Sequence, residues 1–92
     1  MNTEVETFVH QVREINEVDY EHFMKKVNHY LLDLMNEMNH YPYEDIRNKL
    51  QDMQGYIQFN PNWKVEPIIE KVIQDAQYID NLLVAHHQDW ES

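Results

Sequence analysis

The amino-acid sequence predicts an all-α protein: a small antiparallel four-helix bundle running up-down-up-down. Three observations carry that expectation. First, four stretches place apolar residues at alternating steps of three and four, which lines one seam of an α-helix. They are Val5, Phe8, Val12, Ile15; Tyr20, Met24, Val27, Leu31, Leu34, Met38; Ile46, Leu50, Met53, Ile57; and Val65, Ile69, Val72, Ala76, Ile79, Leu83. Second, 92 residues allow one domain and one core, so four seams can bury only against each other. Third, the segments between seams are short, and short connections make sequential helices antiparallel neighbours. An apolar fraction of 42% with 12% aromatics and 26% charged residues suits a globular fold rather than disorder.

The elements follow in order, with helices expected over about residues 4–16, 19–39, 43–55 and 66–87. Thr3 and Glu6 have the spacing of a capping box, so the first helix is expected to start at Thr3. Asn16 or Asp19 can cap the second, whose face is widened by Phe23, Tyr30 and Met35. Tyr41-Pro42 breaks the pattern. The residue before a proline disfavours helix, and proline suits a first helical turn with Glu44 and Asp45 at the positive end of the dipole. Gly55, the one glycine, is the expected stop of the third helix, although the 46/50/53/57 spacing permits another turn. Residues 56–63 then read as an irregular segment rich in large apolar side chains, before a fourth helix with Pro67 in its first turn. That helix is apolar over more than its seam. Ile68, Ile73, Leu82 and Val84 imply either deeper burial or a surface for a partner or second copy.

Charge and composition narrow the function classes. The net charge is −10, a field that repels nucleic acid and anionic lipid and attracts basic proteins, or serves solubility alone. By helix the acids are spread rather than concentrated, too thin a ridge to imitate DNA phosphates. There is no cysteine, hence no disulfide, thiolate catalysis or cysteine metal site. No apolar run approaches a membrane span, and the acidic start is unlike a secretory signal. The expectation is a soluble cytoplasmic protein.

Catalytic vocabulary is sparse. Ser92 is the one serine, Thr3 and Thr7 are the threonines, and a single glycine cannot build a phosphate-cradling loop. Glu37 and His40 have the Glu-x-x-His spacing of di-iron bundles, but the second such pair is absent, so neither metal nor cofactor is expected. His22, His29 and Asp33 read as a solvated stripe, and His86 as a partly buried residue continuing the fourth seam.

The functional expectation is therefore a non-catalytic acidic binding protein that inhibits or modulates a basic protein, for example one that handles nucleic acid, in the manner of an immunity or inhibitor protein. It would contact neither nucleic acid nor membrane itself. Tyr41, Tyr43, Phe59 and Trp63 are the expected contact aromatics, whose alternative role is to plug the ends of the core. Glu66, Glu70 and Asp80 would steer association. Ile73 and Val84 complete the candidate surface, or form a homodimer contact in a structural module. A carboxylate–histidine metal bundle is the remaining alternative.

Overall fold

A computed structural model describes residues 2–16, 19–60 and 64–91, and these form four helices. They are α1 (Thr3–Arg13), α2 (Tyr20–Met38), α3 (Glu44–Phe59) and α4 (Val65–Glu91), with no strand among the described residues. Each helix packs on its two neighbours in a ring: α1 on α2 and α4, α3 on α2 and α4. The up-down-up-down bundle is elongated, with principal extents of 47 × 22 × 20 Å. The start of α1, the end of α2, the start of α3 and the end of α4 share one end.

The predicted seams supply most of the core. Val5, Phe8 and Val12 meet Phe23, Val27, Leu31, Leu34 and Met38 of α2. These meet Ile46, Leu50, Met53 and Ile57 of α3, and Val72, Ala76, Ile79 and Leu83 of α4. Phe8, Phe23, Leu31, Ile46 and Met53 are essentially inaccessible, and burial of such side chains is the main favourable contribution to folding. Ile68 and Ile73 join this cluster, so the wide apolar arc of α4 is mostly burial inside the monomer. A helix wedged between two neighbours covers more of its circumference than one seam describes.

Several local expectations are corrected. The cap of α1 is Asn2, not Thr3: its side chain accepts from the backbone N–H groups of Glu4 and Val5 at 3.0 and 3.2 Å. Asparagine is at least as good a cap as threonine, and starting one residue earlier leaves the Thr7 hydroxyl to donate to the Thr3 carbonyl at 2.9 Å. The helix ends at Arg13, and Ile15 packs on the core from outside it. Asp19 caps α2, accepting from the His22 N–H at 3.2 Å.

Gly55 does not stop α3, which runs on to Phe59. Its φ is negative, so the left-handed conformation that makes glycine a terminator is not used. Ile57 is buried there, and that seam contact carries the helix through the glycine. Residues 56–59 are thus helix rather than linker, and α4 extends past His87 to Glu91.

Candidate partner-binding cleft

The backbone around Pro42 builds the site. Tyr41 donates its N–H to the Met38 carbonyl at 3.0 Å as α2 ends, and Tyr43 is extended (φ −103°, ψ 110°) as α3 begins. Two tyrosines therefore project from a five-residue connection, held on either side by a helix end. Both are partly buried against the core, which gives them the plugging role.

Their rings belong to a longer run. His40 and Tyr41 have centroids 4.2 Å apart, Tyr41 and Tyr43 stack at 5.8 Å and 20°, and Tyr43 lies parallel to His86 of α4 at 3.7 Å. His86 Nε2 sits 3.1 and 3.0 Å from the two carboxylate oxygens of Asp45. Asp45 also accepts from the Ile46 N–H at 2.8 Å in the first turn of α3, where a carboxylate complements the helix dipole. Partial burial, then the neighbouring Tyr41 and Asp45, push the pKa of the Tyr43 phenol above its ordinary value. The phenol thus stays an uncharged donor well into the alkaline range.

Beside these rings lies a cleft of about 300 Å³ lined by Asn2, Tyr41, Tyr43, Asp80, Leu83, Val84 and His87. Asn2 donates its backbone N–H to Asp80 Oδ1 at 2.6 Å, so the cap residue of α1 also fixes this carboxylate of α4. Leu83 is buried beneath the cleft, and Val84 is 48% exposed at its edge.

The candidate residues thus separate. Tyr41, Tyr43, Asp80 and Val84 converge on one cleft. Phe59, 78% exposed, belongs with exposed Glu66 and Glu70 to the opposite end. Trp63 lies outside the described residues. Ile73 is a core residue rather than a surface one.

Folding also redistributes the charge. Dividing each helix at its midpoint and counting as far as His87, the cleft end holds Glu4, Glu6, Asp33, Glu37, Glu44, Asp45 and Asp80 against Arg47 and Lys49, among the described residues. The opposite end holds Glu14, Asp19, Glu21, Asp52, Glu66, Glu70 and Asp75 against Arg13, Lys25, Lys26, Lys64 and Lys71. Acidity that is even along the chain becomes uneven along the bundle, because antiparallel packing brings distant segments to one end.

One charged cluster was not foreseen. Asp75 is only 6% exposed and pairs with Lys71 at 3.0 Å and Lys49 at 3.2 Å. The Lys49 ammonium lies 5.1 Å from the Tyr78 ring centroid, and the Lys71 ammonium 6.0 Å from that of Tyr56. The Lys71 to Asp75 spacing of four was visible in the sequence, but Lys49 reaches it only through the α3–α4 packing. This carboxylate is a structural clasp, not a steering charge.

The histidine stripe of α2 is solvated, with His22 beside Asp19 at 2.7 Å and His29 beside Asp33 at 3.6 Å, all well exposed. Among the described residues no three His, Asp or Glu side chains converge as metal ligands, and no helix is long and apolar enough to cross a membrane. Compared with known protein families, curated proteins and solved structures, the chain matches none.

Proposed function

We propose that this chain is a non-catalytic acidic binding protein that engages and modulates a basic protein partner, in the manner of an inhibitor or immunity protein. The observation that carries the reading is the convergence of Tyr41, Tyr43, Asp80 and Val84 on one cleft, at the more acidic end of the bundle. Rigid aromatics with polar tips supply contact area, and surrounding carboxylates raise the encounter rate of a cationic surface. A nucleic-acid-handling protein is the kind of basic partner such a field selects, and a cytoplasmic setting suits both.

The homodimer alternative has less support, because burial of Ile73 leaves Val84 without its expected companion on the α4 surface. The metal-bundle alternative lacks a converging ligand set among the described residues.

Affinity capture from the native cell at graded salt tests the reading. A basic partner should be recovered at low salt and lost progressively as salt rises. A Tyr41→Ala, Asp80→Asn double variant should lose it, while a Glu66→Gln, Glu70→Gln variant should retain it. A partner retained equally by both variants and at all salt concentrations overturns the assignment.

A further inference from the structure

The same cleft has the dimensions and chemistry of a receptor for a single side chain, and we infer that it takes an arginine presented by the partner. The inference rests on the binding role proposed above and specifies what enters the site. A volume of about 300 Å³ is at the lower limit for a small-molecule pocket and suits one long side chain. Its walls fit the two halves of arginine. Leu83 and Val84 offer apolar surface to a methylene stem, and Tyr41 and Tyr43, members of the stacked run, border the cleft beside Asp80.

Asp80 supplies the counter-charge. A carboxylate has about four lone-pair sites, and the one described bond to Asp80 is the Asn2 N–H on Oδ1. That bond holds the carboxylate in place and leaves acceptor capacity for a guanidinium. Asn2 is itself immobilised, since its side chain caps α1 by accepting from Glu4 and Val5. The acceptor is therefore positioned before any ligand arrives, which lowers the ordering cost of binding. A lysine ammonium is a compact, strongly hydrated charge that cannot pair with a fixed carboxylate through two parallel N–H groups, so arginine is the preferred occupant.

The test is an NMR titration of the labelled protein with N-acetyl-arginine amide, N-acetyl-lysine amide and N-acetyl-citrulline amide, at about pH 8 where an ordinary imidazole is uncharged. A lysine hexapeptide serves as a separate probe of the acidic end. The arginine probe should give saturable shifts at Asn2, Tyr41, Asp80 and Val84, the lysine probe weaker ones, and the uncharged citrulline none. Asp80→Asn should weaken the arginine probe about tenfold, the loss expected for one charge-assisted hydrogen bond. Val84→Arg, at an exposed position that tolerates substitution, should block the probe and provides a second variant should Asp80→Asn disturb the fold. Equal binding of arginine and citrulline, or arginine shifts lying elsewhere, overturns the pocket. Salt-sensitive binding of the hexapeptide with no arginine response in the cleft removes the pocket but leaves the basic-partner role standing. Failure of all the probes removes both.

Discussion

At the end of the bundle where α1 begins, groups far apart in sequence are tied together by polar and ring contacts. Asn2 binds Asp80, Asp45 binds His86, and Tyr43 stacks on that same histidine. At the opposite end the described side-chain contacts are fewer and partly local: Asp19 with His22, Lys25 with Glu21 at 3.9 Å, and the Lys71 ammonium 6.0 Å from the Tyr56 ring centroid across α3 and α4. Its most conspicuous side chain, Phe59, stands in solvent. Hydrophobic layers run through both ends, so the contrast lies in what covers them. Long-range polar contacts hold a surface in one arrangement, and surface organisation of that kind is what recognition needs.

Substitution at the second end should separate its core from its surface most sharply. Phe23→Ala empties a fully buried site and should cost about 4 kcal/mol, whereas Phe59→Ala should change stability by less than about 0.5 kcal/mol. Urea denaturation of the two variants measures the difference. A large loss at Phe59 would mean that this ring covers core and that the second end is more organised than its exposure implies.

The waist between the ends gives the next effect. Asp75→Ala should cost about 2 kcal/mol, less than a fully enclosed pair would, because Lys71 keeps a side-chain exposure of 43% and can turn to water. Unchanged stability in the same denaturation series would show that the clasp is energetically idle and that packing alone aligns α3 with α4.

Much of this was legible from spacing. The four seams gave the helices and most of the core, because burial imposes a period that a single sequence displays. The break around Pro42 was readable too, since proline restricts both its own backbone and that of Tyr41, but Pro42 lies before the first turn of α3 rather than in it, because Tyr43 is extended and α3 begins at Glu44. Other features depend on neighbours that no local pattern names. Ile73 looked like surface until α1 and α3 enclosed α4, and Lys49 finds Asp75 only across a helix interface. The uneven charge belongs to the same class, as its acids come from four separate segments. Of the site, Tyr41, Tyr43, Asp80 and Val84 could be singled out by residue type, but Asn2 could not. Its role appears only when one residue both caps α1 and reaches α4.

Gly55 offers the smallest and most discriminating perturbation. It lies in the interior of α3, has no positive φ, and an added Cβ would meet nothing within 4 Å. Alanine there restricts the unfolded chain without a steric conflict, so Gly55→Ala should stabilise the protein by about 0.5–1 kcal/mol. The residue sits in the half of α3 leading to Phe59, away from the cleft at the start of that helix. If recognition is confined to the tyrosine end, the higher urea midpoint should come with unchanged binding of the arginine probe. A stabilised variant that binds more weakly would mean the second half of α3 must loosen for the cleft to work, and the two ends would then be coupled rather than separate.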